Sequence, residues 1–142
     1  MELRAYVAAD ENAVIELWQR CELTRPWNDP HKDIQRKLTT QPELFLVGKL
    51  DGRIIATVMA GYDGHRGWVN YLAVAPEQRA KGYGRQLMRH IEERLTAIGC
   101  PKLNVQVRAT NQAVLEFYRK IGYAADEAVS LGKRLIPDLP PR

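Results

Sequence analysis

Length and composition restrict the chain to a few classes of protein. Its 142 residues, 45% of them hydrophobic, fit one domain with a core of its own, and a second domain is not expected at this length. Neither Cys21 nor Cys100 belongs to a CxxC pair or lies beside a histidine cluster, so we expect no metal site and no disulfide framework. The net charge of +4 fits an acidic ligand but is too small and too scattered to indicate nucleic acid.

The apolar runs are too short for a membrane protein. None approaches the ~20 residues that a transmembrane helix needs, and residues 1–4 lack the apolar segment of a signal peptide. We therefore expect a cytoplasmic protein with no membrane partner.

The N-terminal third predicts a strand followed by two helices. Residues 3–7 are typical of a short strand, and Asp10 is a candidate N-cap for the first helix. Four apolar residues recur on one face of that helix: Val14, Leu17, Trp18 and Cys21. Residues 24–28 are predicted as a loop, and Asp29-Pro30 begins a second helix that extends to about Leu38.

The middle of the chain predicts three antiparallel strands. Residues 44–50 and 53–61 are rich in β-forming side chains, and the Asp51-Gly52 pair between them is a strong hairpin sequence. A second turn at 62–67 leads to a third strand at 68–74, so the three strands form a meander.

The C-terminal half predicts two helices and two more strands. An amphipathic helix follows residue 82 and ends at Gly99, residues 102–108 alternate as a half-buried strand, and Asn111 caps the last helix, which ends at Gly122. Beyond it, the apolar residues Val129, Leu131 and Leu135 suggest a final strand.

The element order predicts an α+β fold. The central sheet is expected to be mixed but mostly antiparallel, with helices on both faces. We expect one domain over residues 1–136 and a loose tail over 137–142.

Residues 79–85, with the sequence Arg-Ala-Lys-Gly-Tyr-Gly-Arg, are predicted to bind an anion. Gly82 and Gly84 leave room for a phosphate to approach the backbone, and the helix that begins there directs its unpaired N–H groups at that phosphate. Three basic side chains surround the glycines: Arg79, Lys81 and Arg85. We call residues 79–85 the glycine-rich segment.

The glycine-rich segment differs from two well-known phosphate-binding motifs. A dinucleotide fingerprint would need a third glycine at position 87, where leucine stands, and a P-loop would need Gly-Lys-Ser/Thr after a longer loop. A strand-to-helix turn also often takes glycine for steric reasons alone. The glycines could therefore be structural, and their pattern by itself is weak evidence for an anion site.

A second motif follows on the last predicted helix. It consists of Asn111, Ala113, Tyr118, Gly122 and Tyr123. In this order the two motifs resemble those of the GNAT superfamily of N-acetyltransferases, whose R/Q-x-x-G-x-G/A pattern falls on Arg79, Gly82 and Gly84. The resemblance covers nearly the whole chain, because the element order also matches.

The resemblance implies how acetyl-CoA is bound. Backbone amides of residues 79–85, Tyr83 among them, would bind the coenzyme A pyrophosphate, with side-chain charge from Arg79, Lys81 and Arg85. The strand at 68–74 would diverge from the strand at 102–108, and pantetheine would pair with Leu72, Ala73 and Val74 as an added strand. A backbone N–H there can hold the acetyl oxygen as it gains negative charge.

Two residues of the second motif have implied roles and competing structural ones. Asn111 matches a position that touches the pantetheine arm, and it is equally suited to be a helix N-cap. Tyr118 matches the family's general acid, which protonates the departing thiolate, and its alternative role is core packing.

The general base is not evident. An attacking amine must be neutral, yet many family members place a glutamate on a strand that here, at 68–74, contains no carboxylate. The candidates are Asp63 and His65 in the preceding turn, Tyr71 on the strand, or a water chain, which we favour. Asp63 and His65 are also ordinary turn residues.

The loop at 25–29 is predicted to select the acceptor, since the corresponding segment lies over the acceptor side of the cleft in the resembling family. Arg25 and Trp27 could hold an acidic or planar substrate, although Trp27 could equally fill the core beneath the loop.

The predicted activity is acetyl transfer from acetyl-CoA directly to a primary amine of a small molecule. No metal is expected, and a covalent acetyl-enzyme is disfavoured because neither cysteine falls in the motifs. One alternative is a protein N-terminal or lysine acetyltransferase. Another is an acyl-CoA-binding sensor with little turnover. Dimers are common in the resembling family, so a homodimer is left open.

Overall fold

The computed structural model describes residues 1–139. It contains nine helices and strands, in chain order β1 (Glu2–Ala5), α1 (Glu11–Arg20), α2 (Pro30–Lys37), β2 (Phe45–Leu50), β3 (Arg53–Tyr62), β4 (Gly67–Val74), α3 (Tyr83–Ala97), β5 (Leu103–Val105) and α4 (Gln112–Lys120). Single 3-10 turns occur at Ala8–Asp10, Pro42–Leu44 and Pro76–Gln78. The predicted order is confirmed as far as α4.

The strands form one sheet in the order β1-β2-β3-β4-β5. The first three pairings are antiparallel and β4 pairs with β5 in parallel, which confirms the mixed, mostly antiparallel sheet. The β2–β3 turn forms at Asp51 and Gly52, with φ of 52° and 77°. Two positive φ angles are what a two-residue type I′ hairpin requires.

Helices cover both faces of the sheet. On one face, the indole Nε1 of Trp18 in α1 donates to Thr57 Oγ1 of β3 at 2.9 Å. On the other, Gly67 of β4 lies so close to α3 that a β-carbon there would come within 3.3 Å of Leu95. The β3 partner of Gly67 is Tyr62, which faces away from Thr57 because side chains alternate along a strand. The predicted helices on both faces are therefore present.

The core lies between α1, the sheet and α3. Its largest fully buried side chains are Trp18, Phe45, Ile34, Leu46, Leu87, Met88 and Ile91. Phe45 stacks on Tyr6 with ring centroids 4.5 Å apart. The core thereby fixes α1 and α3 on opposite sides of β3 and β4.

The sheet opens between β4 and β5. The two strands pair only from Gly67–Val69 to Leu103–Val105, so β5 is shorter than the predicted strand at 102–108. One extra residue of β4 stands opposite β3 near Tyr71, whose φ is +51°, and such a bulge bends a strand. From Asn70 onward β4 has no strand partner on the β5 side among the described residues. The predicted divergence of these strands is confirmed.

The final strand predicted around 129–135 is wrong. Residues 123–139, which we call the C-terminal segment, contain neither helix nor strand, and Val129, Leu131 and Leu135 are 86%, 92% and 83% exposed. The segment is bonded to the residues that flank β5 through side chains, from Lys102 to Asp126 and from Gln106 to Ser130. A strand needs a neighbour to pair with, and β5 offers an edge of three residues.

The tail predicted as loose is anchored at Asp138. This residue is 1% exposed, and its carboxylate accepts hydrogen bonds from the Asp29 amide at 2.7 Å and from Arg36 at 2.6 Å. Arg134 pairs with the same carboxylate at 2.7 Å. The expectation of a loose tail therefore needs correction at Asp138, while residues 140–142 lie outside the described residues.

Within residues 1–139, no helix has the length and apolar character needed to cross a membrane.

Candidate active site

The glycine-rich segment presents a run of free backbone amides. Ala80 and Gly82 have φ of 61° and 87°, and α3 begins at the next residue, Tyr83. The first helical bond is donated by Gln86 to the Gly82 carbonyl at 3.0 Å. Within the described residues, the N–H groups of 80–85 have no protein acceptor. A helix N-terminus with unpaired amides is an anion site, so the backbone here fits a pyrophosphate.

The two glycines of this segment serve different purposes. A β-carbon on Gly82 would meet no atom within 4 Å, whereas one on Gly84 would lie 3.1 Å from the Phe117 ring. Gly82 therefore supplies the left-handed backbone and an open surface. Because Gly84 has no side chain, α4 can approach α3 at this point. The space beside Gly84 is filled by Phe117, so it does not admit a phosphate.

The three basic side chains of the segment point in different directions. Arg79 Nε donates to the Val74 carbonyl at 3.3 Å, and Lys81 Nζ donates to Gln78 Oε1 at 3.0 Å. Arg85 borders a cavity of about 280 Å³ together with Arg89 and Lys120. All three belong to the first turn of α3 or the residues before it, which keeps positive charge around the free amides.

The predicted pantetheine strand lies at the opening between β4 and β5. Ala73 and Val74 pair with Thr57 and Ala56 of β3, which leaves their other edge toward the gap. Leu72 lies just beyond the bulge at Tyr71 and is half-buried. An exposed strand edge of this kind can pair with an extended ligand.

Tyr118 lies at the inner side of α4. It is 7% exposed, and its ring meets Phe117 and Tyr123 edge-on, with centroid separations of 5.1 and 5.4 Å. Burial raises the pKa of Tyr118 to about 12, because a phenolate is poorly solvated there. Tyr118 borders a cavity of about 1390 Å³ between β5, α4 and the C-terminal segment. With a pKa of about 12, Tyr118 is a protonated phenol at neutral pH.

Tyr123 and Glu92 form a pair that sequence reasoning missed. The Tyr123 hydroxyl donates to Glu92 Oε2 at 2.5 Å, and burial together with this bond raises the pKa of Tyr123 well above its usual value. Tyr123 belongs to the second predicted motif, but its partner on α3 lies 31 positions away. The pair braces the ring that contacts Tyr118.

Asn111 takes the structural role that was one of its two predicted roles. Its Oδ1 accepts a hydrogen bond from the Val114 amide at 3.2 Å, as an N-cap of α4 does. Its predicted contact with pantetheine stays a prediction.

Tyr71 is joined to a carboxylate that the sequence did not indicate. Its hydroxyl donates to Asp33 Oδ2 of α2 at 2.6 Å. Burial, and then the bond to Asp33, raise the pKa of Tyr71 well above its usual value, which argues against Tyr71 as a base. Asp33 stands in the first turn of α2, where an acidic residue is common for helix stability alone. That position gave no signal of a site.

The Tyr71 bulge is held rigidly by its neighbours. The Tyr71 ring stacks on Trp18 with centroids 3.8 Å apart, and Thr57 Oγ1 donates to the Tyr71 carbonyl at 2.9 Å. Trp18 in turn donates to Thr57. A positive φ in a tyrosine costs free energy, and these contacts offset it.

The remaining acceptor candidates are dispersed. The Arg25 guanidinium donates to the carbonyls of Glu22 and Thr24, so it is engaged within the loop that follows α1. Trp27 is 58% exposed, which excludes the prediction that it fills the core. Asp63 accepts the amides of His65 and Arg66, both at 2.8 Å, and these bonds lower its pKa.

The turn that contains Asp63 and His65 lies far from the glycine-rich segment. It joins β3 to the first residue of β4, Gly67, whereas the glycine-rich segment follows the last, Val74. At about 3.3 Å per residue, β4 separates these ends by roughly 23 Å. Asp63 and His65 therefore do not contact the glycine-rich segment, and their role as a base stays a prediction. Among residues 1–139, no group of three or more His, Cys, Asp or Glu side chains could hold a metal ion.

Comparison with known proteins identifies relatives over the whole chain. The model of the Acetyltransferase (GNAT) family matches residues 11–123. An acetyltransferase of Yersinia enterocolitica, YE1169, is 50% identical over 138 residues, which cover 97% of this chain and 98% of the relative.

Solved structures share the fold at low sequence identity. AAC(6')-Iy, in complex with the bisubstrate analog CoA-S-monomethyl-acetylneamine, superposes with a TM-score of 0.76 at 17% identity and covers 95% of this chain and 98% of its own. The ribosomal-protein-S18-alanine N-acetyltransferase from Escherichia coli gives a TM-score of 0.70 at 22% identity, covering 85% and 76%. At these identities the likeness is one of fold.

Proposed function

Since the chain belongs to the GNAT family of acetyltransferases, we propose that it transfers acetyl from acetyl-CoA directly to a primary amine of a small molecule. The observation that carries this proposal is the run of unpaired amides at 80–85 next to the open edge of β4. Acetyl-CoA offers a pyrophosphate for the first feature and an extended pantetheine arm for the second. The fold likeness to a structure with a CoA analog bound supports the same cosubstrate.

When bound, acetyl-CoA supplies an acetyl group on a thioester. The free edge of β4 beyond Tyr71 contributes a backbone N–H that binds the acetyl oxygen while that oxygen gains negative charge. The bulge at Tyr71 directs this edge away from β5. The chain thus orients and polarises the acetyl carbonyl with backbone atoms alone.

Tyr118 donates a proton to the sulfur that leaves. Its pKa of about 12 keeps the phenol protonated at neutral pH. The burial that raises this pKa also disfavours an unprotonated thiolate beside it, because both anions lose solvation. Proton transfer from oxygen to sulfur is therefore less unfavourable than the raised pKa of Tyr118 alone suggests.

Transfer is direct, without an acetyl-cysteine. Cys21 Sγ lies 3.4 Å from the Val74 carbonyl, at the end of the predicted pantetheine strand, and it is the cysteine to test. We expect Cys21→Ala to retain turnover. A covalent intermediate would instead require the thiol, and its loss would abolish acetylation.

Two alternatives remain beside the small-molecule acceptor. The fold likeness to a ribosomal-protein N-acetyltransferase is the reason to retain a protein N-terminus or a lysine as the alternative acceptor. The absence of a carboxylate from β4 favours an acyl-CoA-binding sensor with little turnover. For this protein, the cytoplasmic location and a homodimeric state stay predictions.

A thiol-release assay separates these three functions. Purified protein is given acetyl-CoA and a panel of amino acids, polyamines, aminoglycosides and peptides with a free α-amine, and acetyl-CoA binding is measured by calorimetry in parallel. Turnover on a metabolite or an aminoglycoside supports the proposal, and turnover on peptides alone supports the protein acceptor. Tight acetyl-CoA binding with no turnover on any amine supports the sensor.

A further inference from the structure

We propose that Asp33 is the acceptor-binding carboxylate of this protein, oriented by Tyr71, and that it selects a cationic amine. This inference rests on the proposed acetyl transfer. β4 itself lacks a carboxylate, and α2 supplies one beside the β4 bulge, just beyond Val69, the last β4 residue paired with β5. The Tyr71 hydroxyl donates to Asp33 Oδ2 at 2.6 Å.

The position of Asp33 follows from a rigid chain of contacts. Tyr71 is fixed by its stacking on Trp18 and by the hydrogen bond from Thr57 to its carbonyl. The Tyr71 hydroxyl is therefore held in one orientation, toward Asp33 of α2. The carboxylate is held at the side of the sheet covered by α1 and α2, next to the bulge that precedes the open edge of β4.

Asp33 has capacity left for a ligand. Its side chain is 25% exposed, and its remaining contact is to Arg36 Nη1 at a long 3.3 Å. Arg36 makes its short bond elsewhere, to Asp138 at 2.6 Å. A carboxylate can accept about four hydrogen bonds, so Asp33 Oδ1 can accept from an amine.

The basic side chains near Asp33 already have partners. Arg36 and Arg134 both pair with the buried Asp138 carboxylate. Lys32 Nζ donates to the Asp138 carbonyl. The hydrogen-bond donors of these three cations are directed at Asp138, so Asp33 Oδ1 keeps acceptor capacity on its exposed side, which suits the N–H donors of a cationic amine.

The chemistry of transfer uses this charge. The amine reaches the site as an ammonium, loses one proton to water through the exposed side of Asp33, and forms the N–C bond with the acetyl carbon. Its nitrogen gains positive charge as that bond forms, and Asp33 stabilises the charge. The C–S bond breaks as the carbonyl re-forms, and the thiolate takes the Tyr118 proton. The nitrogen then gives its extra proton to water past Asp33, which leaves a neutral amide, and water returns a proton to Tyr118.

Steady-state kinetics of Asp33→Asn test the inference, with spermidine, kanamycin and a peptide bearing a free α-amine as acceptors. Loss of a hydrogen bond to a charged group lowers kcat/KM for the amine about ten- to hundredfold. Acetyl-CoA affinity stays unchanged.

Tyr71→Phe keeps the ring on Trp18 but frees Asp33 to rotate, so kcat/KM for the amine falls less than in Asp33→Asn. Asp51→Asn, the same substitution in the β2–β3 turn, serves as the matched control and changes kcat/KM less than twofold.

The outcomes for Asp33 and for acetyl transfer can be told apart. Equal kcat/KM in wild type and Asp33→Asn overturns the inference and leaves acetyl transfer intact. No thiol release by the wild type with any of the three amines contradicts the transfer. Calorimetry of the same amines on protein loaded with coenzyme A then decides about Asp33: weaker binding by Asp33→Asn supports it, and equal or no binding overturns it.

Discussion

The glycine-rich segment and the C-terminal segment differ in what determines their structure. Residues 79–85 obtain their conformation locally, from a glycine with φ of 87° and the start of a helix. Residues 123–139 contain no helix or strand, and their fixed point, Asp138, depends on residues about a hundred positions earlier. Determinants that act between neighbouring residues can be recognised in a sequence, whereas partners far apart along the chain cannot. The same difference separates donor binding from acceptor recognition.

Tyr118→Phe tests the side of the molecule that the C-terminal segment lines, since Tyr118 borders the cavity between α4 and that segment. Loss of a general acid lowers kcat about 10²- to 10⁴-fold. Acetyl-CoA affinity should stay within twofold, because phenylalanine keeps the ring contacts with Phe117 and Tyr123. Single-turnover thiol release and calorimetry measure the two quantities. Unchanged kcat would remove Tyr118 from the acid role and leave it as a packing residue.

Gly82→Val tests whether the glycine-rich segment binds the donor. Valine is strained at a φ of 87°, so the amides turn away. Loss of two charge-assisted hydrogen bonds of about 1.5 kcal/mol each weakens acetyl-CoA binding about a hundredfold.

Gly64→Val is the matched control for Gly82→Val. Gly64 has a φ of 95° and equally open surroundings, but it lies in the β3–β4 turn. Both variants should lose similar stability in urea, and only Gly82→Val should lose coenzyme affinity by calorimetry. Equal affinities in the two variants would refute the placement of the pyrophosphate.

Gly84→Ala sharpens the distinction between the two glycines of the segment. A methyl group there lies 3.1 Å from the Phe117 ring, and such overpacking costs about 1–3 kcal/mol of stability. Phe117→Leu in the same chain should restore part of the loss. Urea denaturation of the single and double variants measures both effects. Full stability of Gly84→Ala would mean that α4 shifts freely.

The backbone features expected on the donor side were confirmed where their signals are short-range or belong to paired motifs, while coenzyme binding by those residues stays a prediction. Gly82 and the Asn111 cap act within a few residues, and the divergence of β4 and β5 followed from the family resemblance. The Tyr71–Asp33 bond spans 38 positions and depends on a bulge, so spacing could not reveal it.

The final predicted strand failed for a different reason. Spacing around Val129 and Leu131 matched a half-buried strand, but a strand forms only where a neighbour offers backbone partners. β5 ends at Val105, so the available edge is too short for the predicted strand. Asp138 in turn is an ordinary aspartate in sequence, and its burial depends on Asp29 and Arg36.

Asp138→Asn should release the C-terminal segment and lower the melting temperature by a few degrees at pH 7. Arg36, the Asp29 amide and Arg134 hold the pKa of Asp138 well below its usual range. The carboxylate therefore contributes stability above its unfolded pKa of about 3.9, and that contribution is lost as the pH falls toward the folded value. The difference in melting temperature between wild type and Asp138→Asn should accordingly shrink below about pH 4.

Asp126→Asn provides the control for Asp138, since Asp126 lies on the same segment in an exposed pair with Lys102. Exposed ion pairs contribute little to stability, so this variant should melt with the wild type at every pH. A difference for Asp138→Asn that grew in acid would show that the ionised carboxylate destabilises the fold. Equal melting at pH 7 would mean that contacts other than the Asp138 carboxylate hold the segment.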